Sequence, residues 1–260
     1  MNNALIYSFH CRHVSNMSQT RVFKQLKYSI DTLRKYNEDI PVKVFVSPKD
    51  TAILNDPSFN IKNLEIVPFD NIYGDNWPAK WLDDGYAEFL FHRWKNAFES
   101  IKMFGFDNIL YLDTDTIFYN DPNILFEKYG NQDTVYGRED NSYHIMDQIN
   151  MVNGLNDGQF ILNKSLVHHK DNFLSFMNSY INDTLNKYDG ILNEKDFHDL
   201  QWIIVQYSAY EYFSSMDKVR YFDQNNVMLS TEPDFLNKDS LILHHYYTGN
   251  SEKYLPKEYM

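Results

Sequence analysis

The stretch that most limits what this chain can fold into is Ile109-Leu110-Tyr111-Leu112, running without a break into Asp113-Thr114-Asp115-Thr116-Ile117-Phe118. The apolar run is short and β-rich, and Gly105 and Asp107-Asn108 precede it. Such a run predicts a central strand covered on both faces, as in a parallel sheet. Side chains two apart on an extended chain point the same way. Asp113 and Asp115 should therefore emerge together at the strand's carboxyl end, the edge where open α/β sheets hold ligands. Two like charges so close repel each other. A divalent cation with oxygen ligands compensates them well, above all one that also holds a diphosphate. The ordinary alternative is a plain turn whose carboxylates accept from backbone N–H groups.

The flanking sequence supplies the rest of an α/β fold. Ala4–Phe9 reads as a first strand, followed by the polar loop His10-Cys11-Arg12-His13. Val22, Phe23, Leu26, Ile30 and Leu33 recur at helical spacing, with Ser18 as a candidate N-cap. Pro41–Val46 and Leu64–Phe69 read as the second and third strands, with a short helix between them and a bend at Pro68. This alternation predicts parallel βαβ units. Residues 71–85 read as an irregular loop in which Trp77 and Trp81 either staple the loop to the body or meet a substrate. Leu90, Trp94, Ala97, Phe98 and Ile101 mark a helix that Gly105 terminates.

Beyond the Asp-x-Asp, a short helix over Ile124–Tyr129 and a strand at Thr134–Gly137 lead to a polar excursion from Asp140 to Leu155. Asn156-Asp157-Gly158 reads as a turn that opens an apolar strand. Helices follow over Leu166–Tyr188 and Phe197–Tyr207, then strands at Val219–Phe222 and Leu241–Tyr246.

Composition narrows the function classes. The 260 residues carry a net charge of −12, which argues against a nucleic-acid partner, because backbone phosphates need a basic face. An anionic substrate would need a metal or a few local cations. The single cysteine, Cys11, fits a reducing compartment and reads more naturally as a small buried hydrophobe than as a nucleophile. No apolar stretch is long enough to span a membrane. The first residues show no basic segment followed by an apolar core, so a cytoplasmic location is the expectation.

Three pieces then stand out together: Asp113-Thr114-Asp115, Asn156-Asp157-Gly158, and the C-terminal His244-His245-Tyr246-Tyr247-Thr248-Gly249 followed by Lys253. In this order and spacing the chain resembles the GT-A glycosyltransferases, nearest to the glycogenin and lipopolysaccharide-galactosyltransferase family. The His-His-Tyr-Tyr stretch is also similar to the DXD sugar-binding group of mannosyltransferase-like enzymes. The resemblance runs from Ala4 to about Lys253. It implies a three-layer α/β/α sandwich with a mostly parallel central sheet. It also implies one domain over 1–260, with a nucleotide-binding half at 1–119 and an acceptor half at 120–260.

The resemblance further implies metal-dependent, retaining transfer of a sugar from a nucleotide-diphosphate donor, most simply UDP-linked, to a glycan or other hydroxyl acceptor. Mn²⁺ or Mg²⁺ would be held by Asp113, Asp115 and one histidine of the last strand, His244 or His245, with His244 preferred. Imidazole favours Mn²⁺. Arg93, Asp113, Asn156, Gly158 and Lys253 would meet the donor, with Tyr7, Ser8 and Phe9 where the nucleotide base sits. The segment around Lys253 departs from the family's Gly-x-x-Lys-Pro-Trp: it is one residue longer and lacks Pro-Trp. Asp157, Asp199 and Gln201 are the candidates for acid–base or anomeric-centre roles.

Three rival readings use the same residues. One is a catalytically silent nucleotide-sugar-binding protein on the same scaffold. A second is a haloacid-dehalogenase-like phosphatase, which usually carries its Asp-x-Asp on the first strand rather than about the fourth. A third, a nucleotidyltransferase, needs a glycine-rich phosphate loop after the first strand, and Ser8-Phe9-His10-Cys11-Arg12 has no glycine.

Overall fold

The computed structural model describes residues 1–9, 21–46, 57–69, 86–140, 148–149, 151, 154–229, 240–246 and 251–259. The readings placed on Cys11, Ser18, Trp77, Trp81, most of 140–155 and Tyr247–Gly249 lie outside these residues.

Seven strands form the main sheet. In chain order they are β1 Asn3–Phe9, β2 Val42–Val46, β3 Leu64–Pro68, β4 Asn108–Leu112, β6 Val135–Asp140, β7 Gly154–Asn163 and β8 Val219–Tyr221. Their order across the sheet is β3-β2-β1-β4-β7-β6-β8. The first four are mutually parallel, as the βαβ reading requires, while β7 runs antiparallel to both β4 and β6. Pro68 ends β3, where its missing N–H would break the ladder.

Alternation along each strand splits the core in two. On β1, Ala4 and Ile6 face one side and Leu5, Tyr7 and Phe9 the other. On β4, Ile109 and Tyr111 join the first group and Leu110 and Leu112 the second. The first face is covered by α2 (Tyr86–Phe104), α4 (Lys170–Tyr188) and α5 (Glu194–Ser214). Here Trp94 stacks on Phe160 at 4.0 Å between centroids, and Tyr111 also stacks on Phe160, at 5.0 Å. The opposite face carries α1 (Arg21–Arg34) and α3 (Asn123–Tyr129). This is the expected three-layer sandwich. Gly105 closes α2 at φ +67°, a left-handed cap that a side chain would disfavour.

The apolar run forms the expected central strand, but the extended chain does not carry the two aspartates. β4 stops at Leu112, the chain bends through Asp113–Asp115, and β5 (Thr116–Phe118) leaves for a second sheet. That sheet has the order β5-β10-β9, with β9 at Val227–Leu229 and β10 at Leu243–His245. The two aspartates therefore converge through a bend, not through strand parity.

Asn156-Asp157-Gly158 is also not a turn. It lies inside β7, where the pairing with β6 jumps from Gly137↔Phe160 to Arg138↔Asn156. Asp157, Gly158 and Gln159 are the extra residues on the β7 side. Gln159 still pairs with Leu112 of β4, and Asp113 N donates to Gly158 O at 2.7 Å. A bulge of this kind re-aims side chains beside a site.

Candidate metal and donor site

At the carboxyl end of β4, Asp113, Asp115 and His245 bring three ligand atoms within 4.8 Å of one another. Asp115 and His245 are buried, and Asp113 is partly so. His245 Nε2 lies 3.0 Å from Asp115 Oδ1. Each neighbour is fixed by a different element. Asp113 is held through its N–H by β7, and Tyr246 N donates to Asp115 O at 3.1 Å, tying the bend to the end of β10.

Strand pairing selects His245. On β10, His245 stands opposite Thr116, the residue after Asp115, and His244 stands opposite Ile117. The His244 ring packs edge-on to Tyr254 at 4.9 Å, with Tyr246 and Tyr119 further out. Tyr254 belongs to the short C-terminal helix α6, Ser251–Tyr254. The preference for His244 is thus corrected: its ring faces the C-terminal segment, and His245 meets the aspartates.

Arg93, from α2, reaches the same edge. Its Nη1 donates to Asp157 Oδ1 at 2.9 Å, and its Nη2 lies 3.2 Å from Asp113 Oδ1. Burial raises the Asp157 carboxyl to about 6, with Arg93 pulling it down and Asp113 pushing it up. Burial likewise raises Asp113, against the opposing pull of Arg93 and His245. For His245, burial disfavours the cation, but the charge of Asp115 and the hydrogen bond to it prevail, and its pKa is raised.

Gly158 fills the floor. A Cβ there would lie 2.6 Å from Asp113 Oδ2, 2.8 Å from His245 Cε1 and 3.0 Å from Asn156 Oδ1. Its φ is not in the left-handed region, which leaves close backbone approach as the reason for glycine. Asn156 is committed internally. Its Nδ2 donates to Asp140 Oδ2 at 3.0 Å, and its Oδ1 accepts from Gly158 N at 3.0 Å.

Other expected residues stand apart from this cluster. Tyr7 is fully buried, with its hydroxyl 2.9 Å from Ser29 Oγ, and Phe9 is fully buried in the same core. Both are core residues, so neither ring has a face open to a base. Ser8 Oγ accepts from Asn96 Nδ2 at 3.1 Å. Asp199 pairs with Lys195 one turn earlier on α5, as a helix-surface ion pair does. Gln201 is buried on the same helix, and Lys253 is exposed on α6.

Two acidic residues escaped the sequence reading. Asp140, buried at the end of β6, accepts from Asn156 and, at 3.4 Å, from Gln206 Nε2. Its signal was Arg138 and Asp140 at a spacing of two on a strand. Asp196, also buried, accepts from Asn193 Nδ2 at 2.6 Å while Asn193 Oδ1 caps its N–H. The Asn193-x-x-Asp196 pattern of a helix start was the available clue.

A cluster of two carboxylates and one imidazole, beside the Asp157 carboxylate and the Arg93 guanidinium, has the donor chemistry of a divalent cation site with mixed oxygen and nitrogen ligands.

A scan against protein-family models finds no match, and a search of the curated proteins finds none either. Solved structures do match. Mouse xyloside xylosyltransferase 1 in its apo form superposes with a TM-score of 0.56 at 13% identity, covering 94% of this chain and 97% of that one. The galactosyltransferase LgtC, solved with donor and acceptor sugar analogs, gives 0.53 at 12%, covering 94% and 86%. A glycosyltransferase involved in glycosylation of the major capsid of PBCV-1 gives 0.53 at 12%, covering 96% and 97%. The chain is similar to each across nearly its whole length, and its fold is the GT-A fold.

Proposed function

We propose that this chain is a metal-dependent glycosyltransferase that moves a sugar from a nucleotide-diphosphate donor, UDP-linked in the simplest case, to a hydroxyl of a glycan or similar acceptor. The observation that carries the reading is the Asp113/Asp115/His245 cluster, buried at the carboxyl edge of β4 on a GT-A scaffold. Asp113, Asp115 and His245 Nε2 would hold the ion, and the imidazole in the set favours Mn²⁺ over Mg²⁺. When bound, such an ion stabilises the diphosphate charge that develops as the sugar leaves, without needing a proton.

The chain's own residues do the rest. The Asp113 N–H to Gly158 O bond fixes the main chain at Asp113 before any ligand arrives, so little backbone reorganisation is required. Gly158 gives the backbone close approach beneath the site. Lys253, exposed on α6, is the candidate cation for the diphosphate. By the same reading, residues 1–119 supply the nucleotide half and 120–260 the acceptor half, and transfer proceeds with retention. Asp157 is already engaged by Arg93, which argues against its serving as the base that an inverting course needs.

The test is release of UDP from a panel of UDP-sugars, with Mn²⁺ and with EDTA, on wild type and Asp115→Ala. Hydrolysis of one sugar that requires both metal and Asp115 supports the reading and names the donor. Binding of UDP with Mn²⁺ but no turnover of any donor would make the chain a nucleotide-sugar-binding protein. No binding and no cleavage of any UDP- or GDP-sugar would refute the reading.

A further inference from the structure

Asp157 is a third carboxylate beside a site that needs two. Its contacts give it a different task from theirs. Arg93 spans Asp157 and Asp113, with contacts of 2.9 and 3.2 Å to one oxygen of each. The Arg93 and Asp157 side chains are 8% and 7% exposed, so water does little to screen the pair. A buried guanidinium beside a metal ligand competes with any cation for that ligand's charge. Asp157 opposes this, because it takes the shorter contact. Its own position is set by the β7 bulge, whose neighbours Asn156 and Gly158 are tied to Asp140 and to Asp113 by hydrogen bonds.

The formal charges agree. Counted over these four side chains, and with His245 deprotonated as a metal ligand must be, Asp113, Asp115 and Asp157 contribute three negative charges and Arg93 one positive. The remainder is two negative charges, the complement of a divalent ion. Without Asp157 one would be left.

We infer that Asp157 is a charge-balancing and positioning residue: it neutralises Arg93 and so keeps Asp113 available to a divalent cation. The inference rests on the metal-site reading above and adds a role to it. It also separates two kinds of mutation that a purely structural pair would not. Removing Asp157 takes away the shorter of the two carboxylate contacts, turns more of the Arg93 charge on Asp113 and weakens the metal. Removing Arg93 takes away the competing charge and does not.

The experiment is Mn²⁺ binding to the purified full chain without nucleotide, followed by the electron paramagnetic resonance signal of unbound Mn²⁺, with thermal unfolding recorded alongside. Asp157→Asn is expected to weaken binding by about tenfold or more, as loss of one poorly screened charge near a divalent ion implies. Arg93→Gln is expected to bind at least as tightly as wild type. The double variant, which removes both charges, is expected to return to within about threefold of wild type.

Equal weakening in the two single variants would mark the pair as merely structural and overturn the inference. Wild-type affinity in Asp157→Asn would overturn it too. If Asp157→Asn fails to fold, Arg93→Gln and the double variant decide: weakened binding in either overturns the inference. Failure of wild type itself to bind Mn²⁺ would be a different result, removing the metal-site reading on which the inference stands.

Discussion

Replacing Gly158 by alanine is the sharpest test of the site's packing. The added methyl would sit 2.6 Å from Asp113 Oδ2 and 2.8 Å from His245 Cε1, where ordinary contact begins at 3.4 Å. About 0.8 Å must be made up on the Asp113 side, the difference between 3.4 and 2.6 Å. Neither neighbour is a flexible chain end. Asp113 is held by Arg93 and by its N–H to Gly158 itself, and His245 is held by Asp115 and the β10 ladder.

The methyl therefore parts the ligand atoms rather than being absorbed by a surface side chain. Overpacking of this kind costs about 1–3 kcal/mol of stability. Misplacing a catalytic group by about 1 Å costs roughly a hundredfold in rate. The assay pairs urea unfolding with Mn²⁺ binding and donor hydrolysis. The expected outcome is a fall in all three. A Gly158→Ala protein with wild-type metal affinity and hydrolysis, and stability within about 0.5 kcal/mol of wild type, would refute the packing argument, since that is the range of surface changes that touch nothing.

Other outcomes follow from the same geometry. His245→Ala should abolish Mn²⁺ binding, whereas His244→Ala should keep it and instead lower the melting temperature by loosening the contact with Tyr254; the reverse pattern would restore His244 as the ligand. Trp94→Ala removes a ring stacked on Phe160 and edge-on to Phe173 and should cost about 3–5 kcal/mol in urea unfolding, and a loss under about 1.5 kcal/mol would mean that the core collapses around the gap. His92 is buried neutral, with burial and then Lys95 lowering its pKa to about 3. Its unfolded form takes up a proton below about pH 6.5 while the native form does not, so stability should fall at up to about 1.4 kcal/mol per pH unit as the pH drops from there toward 3. His92→Phe should flatten that slope in unfolding curves at pH 7, 6 and 5, and parallel slopes would refute the assignment.

Much of the fold was legible in the sequence because it rests on local periodicity. Strands β1 to β4 and helices α1 and α2 follow from alternation and from apolar positions three and four apart, which the chain sets within a dozen residues. That Asp113 and Asp115 stand together at the carboxyl end of β4 was legible because both follow directly on its apolar run. What needed the tertiary structure depends on pairing between distant strands. Whether His244 or His245 meets the aspartates is a question of parity, and parity is fixed by the register of β10 on β5, more than a hundred residues earlier. A one-residue slip would exchange the two. Asn156–Gly158 reads as a turn in isolation and is a bulge only because β7 pairs with β4 and β6 at different offsets. The union of Arg93 and Asp157 joins a helix and a strand 64 positions apart, and no spacing rule links them. Local sequence set which residues could bear charge at this edge, and long-range pairing decided which of them meet.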